Sequence, residues 1–153
     1  MTVTITPNGS TGKQFPRVNR IIRAGLALNT GLYRLLRGRG MRRMGILTTL
    51  GARTGQKRSL PLAVFEAGPD TWWIVASKGG AAQHPAWYLN LAKNPDHVEL
   101  EVGGRRLKVR PDSLHGPERA EAWKSIVEQS PNFGGYEKAT DREIPVVRLR
   151  PIT

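Results

Sequence analysis

The chain has 153 residues, no cysteine and a formal net charge of +12. That length supports one domain with its own core, and the absence of cysteine excludes disulfides, thiolate metal sites and cysteine nucleophiles together. His84, His97 and His115 lack metal-ligand spacing and read as surface or loop residues, so no metal is expected and any redox chemistry belongs to a bound organic cofactor.

Residues 1–16 are polar and rich in Gly, Pro, Ser and Thr, without the apolar run of a signal peptide, and predict a disordered leader ahead of a domain over 17–153. From Val18, apolar residues recur at Ile21, Ile22, Leu28, Leu32, Leu35 and Leu36, a helical spacing ringed by Arg17, Arg20, Arg23, Arg34 and Arg37. This N-terminal amphipathic helix, which 29–31 can divide in two, is too charged to span a bilayer. Its apolar face either packs on the domain or rests on an anionic membrane surface. Charge is segregated: residues 1–65 carry twelve Lys/Arg and no Asp/Glu, whereas 66–153 carry twelve of each. Such a field attracts phosphates, anionic lipid, nucleic acid or polycarboxylates without choosing among them.

Short β-type segments follow at 46–50, 59–66 and 71–77, separated by a glycine loop at 51–55 and the turn 67–70, which predicts a hairpin. Pro85 opens a helix that runs through Trp87, Tyr88 and Leu91 toward Asn94 and Pro95. Val98, Leu100 and Val102 alternate with polar residues, Gly103 and Gly104 supply a turn, and Leu107 and Val109 alternate back, a second hairpin. A helix over 117–129, with Ala120, Trp123, Ile126 and Val127 on one side, and a strand at 145–150 complete the chain. About six short strands with interspersed helices predict an α+β domain built on an antiparallel barrel; the chain has neither a G-x-G-x-x-G turn nor a Walker A loop.

The stretches 47–62 and 75–95 place glycines, fixed cations and flat aromatics close together. A phosphate-bearing, ring-shaped ligand needs those groups: N–H donors and Arg/Lys charge for the phosphate, and a dry slot for the ring. Arg53, Lys57 and Arg58 are the candidate cations.

The runs TTLGARTGQKRSLPL, ASKGGAAQHPAWYLNLAKNP and TDREIPVVRL resemble the deazaflavin-dependent nitroreductase family over about residues 18–152. The resemblance implies a single-domain split β-barrel oxidoreductase using coenzyme F420, an 8-hydroxy-5-deazaflavin with a phosphate and an oligoglutamate tail. It also implies cofactor-binding residues. Ala52, Arg53 and Thr54, with Lys57 and Arg58, fall at the phosphate and ribityl chain, and Ser59, Leu60, Pro61, Leu62 and Ala63 continue that segment. Val75, Ala76, Ser77 and Lys78 match the strand end whose backbone reads the polar edge of the ring, and Ala86, Trp87, Tyr88, Leu89 and Asn90 match a helix start packed near it.

The implied reaction is hydride transfer from reduced F420 to an electron-poor organic acceptor, a quinone or a nitroaromatic. Ser77 and Tyr136 are the expected hydrogen-bond or proton donors to that acceptor, with Phe133 and Tyr136 as its binding residues. Phe133 stands where the nitroimidazole-reducing pattern of the family has a tyrosine and Ala63 where it has an aromatic, which counts against nitroimidazoles and leaves quinones such as menaquinone as acceptors. The expected location is the cytoplasm, with peripheral contact at the inner face of the membrane. Two alternatives stand beside this reading. One is a flavin mononucleotide reductase on the same barrel; the other is a non-catalytic basic module binding membrane or nucleic acid through 13–58. Nucleic acid is not the expected partner, because only Phe15 and Tyr33 interleave with those cations.

Overall fold

The computed structural model describes residues 3–13 and 44–152. The amphipathic helix expected over 18–36, and the membrane contact expected of it, lie outside these residues. Seven strands form one antiparallel sheet: β1 (Met44–Leu50), β2 (Lys57–Ala63), β3 (Phe65–Gly68), β4 (Thr71–Val75), β5 (Glu99–Val102), β6 (Arg105–Ser113) and β7 (Val146–Pro151). Their order is β2-β1-β5-β6-β7-β4-β3, and the sheet curls until Cα atoms of β2 and β4 approach within 8 Å. Three helices, α1 (Ala86–Lys93), α2 (Gly116–Gln129) and α3 (Asn132–Ala139), pack against it. This is the expected antiparallel split barrel, with one strand more than anticipated.

The extra strand comes from the run 59–66, expected as one strand. It breaks at Val64, so that β2 pairs with β1 while β3 pairs with β4 at the other end of the sheet. Strand alternation then builds two cores. Leu47, Trp72, Ile74, Leu100, Val109, Val147 and Leu149 join Trp87, Tyr88 and Leu91 of α1 inside the barrel. On the opposite face, Phe65 and Val146 pack with Trp123 and Ile126 of α2 and Phe133 of α3. In α2 it is Ala122, not Ala120, that is buried beside Trp123, because the helix turns its 122–126 side to the sheet. Val102 pairs with Arg105 across Gly103 and Gly104, both at positive φ, as the second hairpin requires.

Residues 3–13, read from composition as disordered, follow an extended path over the barrel. Val3 is buried, Tyr88 donates its hydroxyl proton to Thr4 O (2.9 Å), Gly9 N donates to Ala82 O (2.8 Å), and Lys13 N donates to Gly80 O (3.0 Å). The polar side chains that suggested disorder supply the anchor: the N–H groups of Ser10 and Thr11 donate to Asp141 Oδ1 at 2.8 and 2.9 Å. The Ser10 hydroxyl also bonds Asp141.

Candidate active site

The loop at 51–56 closes on itself: Gly51 N donates to Gln56 O and Gly55 N donates to Gly51 O, each at 2.8 Å, and Gln56 N donates to Thr54 Oγ1. Helix α1 holds it from below. Asn90 Oδ1 accepts the N–H of Ala52 at 2.9 Å, while the amide of Asn94 donates to Leu50 O at 3.4 Å. Arg53 and Thr54 are exposed, and Arg58 is half-buried. Among the nine arginines described, only Arg53, Arg58 and Arg110 have no hydrogen-bonded or ionic side-chain partner; Arg53 lies in this loop and Arg58 just beyond its end.

The pleat divides the residues expected to surround a phosphate and its chain. Arg58 lies opposite Thr49 in the register, on the face of Leu60 and Leu62, which pack on the barrel core. Lys57, Ser59, Pro61 and Ala63 take the other face. Ser59 bonds Thr48 (2.8 Å), and Ala63 packs against the core of that face, which includes Phe65 and Phe133. Lys57 lines a separate cleft of about 190 Å³ with Asp96, His97, Glu99 and Lys108. Its charge helps hold the Glu99 carboxyl below its usual range, after the larger effect of the hydrogen bond from Arg106. Arg58 and Lys57 are therefore not one cluster, since adjacent strand residues point to opposite faces.

Strand β4 leads into a tight turn at 77–81. Ser77 has right-handed backbone angles (φ −79°, ψ −38°), and Lys78 and Gly79 follow at φ 45° and 62°. A right-handed residue followed by a left-handed one points successive N–H groups into one concavity suited to a negatively charged oxygen. The N–H groups of Ser77, Lys78 and Gly79 donate no hydrogen bond among the described residues, whereas those of Gly80 and Ala81 close the turn onto Ser77 O and Lys78 O. Gly80 sits at φ 87°, and a Cβ there would lie 2.8 Å from Ala139 Cβ and 3.0 Å from Tyr136 O, so only glycine lets α3 approach. The chain then enters α1, whose first N–H groups, at Ala86 and Trp87, are also free of partners among the described residues.

The aromatic residues divide by exposure. Tyr88 is fully buried and Trp87 nearly so, edge-on to each other with centroids 6.3 Å apart, so both are core and neither offers a ring face to a ligand. Leu89, 39% exposed, and Ala86 form the open side of α1. Phe133 is likewise buried, edge-on to Phe65 (5.5 Å) and to Tyr136 (5.2 Å); it backs Tyr136 rather than walling a pocket. Tyr136 keeps its hydroxyl on the surface, where it accepts from Asn132 Nδ2 at 3.0 Å, which leaves its own proton free to donate. Lys13 lies over its ring at 5.9 Å. The Ser77 hydroxyl has no partner among the described residues.

Two residues of this region were missed as site residues in the sequence. His84 is 5% exposed rather than on the surface, and Arg142 is equally buried. His84 Nε2 lies 2.6 Å from Thr6 O, so that nitrogen carries the proton and Nδ1 is left as acceptor for Arg142 Nη1 at 3.2 Å. Burial pushes the His84 pKa down, the hydrogen bond to Thr6 opposes this, and the Arg142 charge adds to the lowering. An Arg in a polar run and a His before a proline carry no local signal for such a pairing across 58 positions.

The sequence profile of the F420H(2)-dependent quinone reductases matches residues 25–151. The chain is 41% identical over 133 residues to an F420H(2)-dependent quinone reductase of Mycobacterium tuberculosis, covering 81% of this chain and 88% of that one. Its fold is similar to a solved F420-H2 dependent reductase (TM-score 0.64, 39% identity, 71% of this chain and 95% of that chain). It is also similar to a structure described as a domain-swapped dimer (TM-score 0.66, 35% identity, 81% and 97%). The chain thus belongs to the F420H(2)-dependent quinone reductase family, an oxidoreductase family whose cofactor is coenzyme F420.

Proposed function

We propose that this protein reduces a quinone with hydride taken from F420H2, binding the cofactor between the 51–56 loop, the 77–81 turn and the open side of α1. The observation that carries this reading is the set of three consecutive unpartnered N–H groups at Ser77, Lys78 and Gly79, in the family's F420-dependent frame. Those donors suit a carbonyl or anionic oxygen on the edge of a flat heterocycle, while Arg53 and Arg58 suit the phosphate and the acidic tail. Donor chemistry and charge therefore fit F420.

Reduced F420 supplies the hydride when bound. A quinone that accepts it carries negative charge on oxygen until a proton arrives, and the hydroxyls of Ser77 and Tyr136 are the donors proposed for it. Asn132 orients the Tyr136 hydroxyl by donating to it, and Phe133 fixes the ring from behind. The apolar α1 side at Leu89 helps keep water from the reacting pair. No helix among the described residues is long and apolar enough to cross a membrane. Contact with a lipid quinone in an anionic membrane falls to the basic amphipathic stretch at 17–37, and vesicle sedimentation with and without residues 1–38 reads that contact.

The test is the absorbance of F420H2 mixed with the protein and, in turn, menaquinone, a soluble quinone, a nitroaromatic and a dye. The proposal expects protein-dependent oxidation with the quinones. Oxidation confined to the other acceptors would overturn it.

A further inference from the structure

Arg142 lies in the connection from α3 to β7, buried, and its partners include no carboxylate. Nε donates to Ala81 O at 2.7 Å, Nη1 to Ala76 O at 3.1 Å and to His84 Nδ1 at 3.2 Å, and Nη2 to Ser77 O at 2.7 Å. Burying a guanidinium without a counter-ion is unfavourable, and burial lowers its pKa. What the arrangement achieves is orientation.

A peptide unit is planar, so the direction of its carbonyl fixes the direction of the N–H on the next residue. Clamping Ala76 O aims the Ser77 N–H, and clamping Ser77 O aims the Lys78 N–H, each away from the guanidinium. A cation on the carbonyl also polarises the amide and strengthens its N–H as a donor. Lys78 is held at φ 45°, a conformation a side-chain-bearing residue keeps only where its surroundings enforce it.

We propose that Arg142, with neutral His84 as its fourth acceptor, is the positioning residue for cofactor binding: it aims and polarises the Ser77 and Lys78 N–H groups at the F420 ring. This rests on the assignment of those amides to the cofactor made above. His84 completes the clamp because a protonated ring would turn a donor toward Arg142; the charged or titratable groups facing it are Arg142 and Tyr88, whose ring centroid is 4.9 Å away.

The test uses the full chain as Arg142→Lys and Arg142→Met. Arg119→Lys serves as a control, because Arg119 also donates to a carbonyl (Ile144 O, 2.6 Å) and lies outside the 77–81 turn. Fluorescence titration with oxidised F420, thermal melting, and amide ¹⁵N–¹H shifts of the free protein are read for each. The proposal expects both Arg142 variants to shift the Ser77 and Lys78 amides and to weaken F420 binding about tenfold. Arg119→Lys should lower the melting temperature with F420 affinity unchanged. If Arg142→Met does not fold, Arg142→Lys decides alone. Unchanged F420 affinity in Arg142→Lys, or a parallel loss in Arg119→Lys, overturns the proposal. Failure of the wild-type chain to bind F420, with the amide shifts still present, would instead refute the cofactor assignment on which it rests.

Discussion

Asn90 Oδ1 accepts the N–H of Ala52 at 2.9 Å, so the middle of α1 and the start of the glycine loop are joined by one hydrogen bond across 38 positions of sequence. Because α1 begins a few residues after the 77–81 turn, this bond fixes the spacing between the loop cations and the free amides of the turn. Asn90→Leu keeps the half-buried volume and removes the acceptor. Losing one such bond is worth about 1 kcal/mol, so the KM for F420H2 should rise about fivefold with kcat for bound cofactor little changed, as read by steady-state kinetics.

Arg53→Ala and Arg58→Ala should each weaken F420 binding about tenfold and flatten its dependence on salt, since charge-assisted contacts to phosphate are strong and long-range attraction is screened. Lys57 projects from the other face of β2, so Lys57→Ala should leave the dissociation constant within about twofold. Fluorescence titration at two ionic strengths separates the three.

His84 is neutral in the fold, its pKa held below 6.5 chiefly by burial. Between that lowered value and 6.5 the unfolded chain binds more protons than the folded one, so stability rises with pH across this window. Melting temperature should therefore fall as pH drops below 6.5 and level off once the folded state also titrates. His84→Gln should flatten that slope.

The Asp141 carboxyl is held at about 2, first by the Ser10 hydroxyl and then by the Thr11 and Ser10 amides. A carboxyl depressed in the fold stabilises it above its ordinary 3.8, and that contribution is lost as pH falls through the folded value. The 3–13 segment should thus loosen in that acid range, and Asp141→Asn should loosen it at neutral pH. Hydrogen exchange at the Ser10 and Thr11 amides checks both.

Local pattern carried much of this fold. The Gly103–Gly104 hairpin and the helix after Pro85 follow from turn chemistry and proline placement, and the barrel from the count of short alternating strands. The break at Val64 was not legible, because 59–66 holds no glycine or turn pair at that point and the change of partner strand is set by closure of the sheet. Helix α3 was also missed: Gly134 and Gly135 disfavour a helix, and packing of Phe133 and Gly80 overrides that preference. In the candidate site, the glycine loop and the Ser77 turn were visible as residue types. Trp87, Tyr88 and Phe133 looked like ligand contacts because sequence does not distinguish a buried ring from an exposed one. The Arg142–His84 pair is a long-range contact that no spacing announces.

The measurement that bears most directly on the account is an amide ¹⁵N–¹H titration of the wild-type chain with F420. Saturating, concerted shifts at Ser77, Lys78 and Gly79, together with the Arg58 side chain, are the predicted result. Shifts confined to the opposite-face cleft at His97 and Glu99, with the 77–79 amides unmoved, would contradict it.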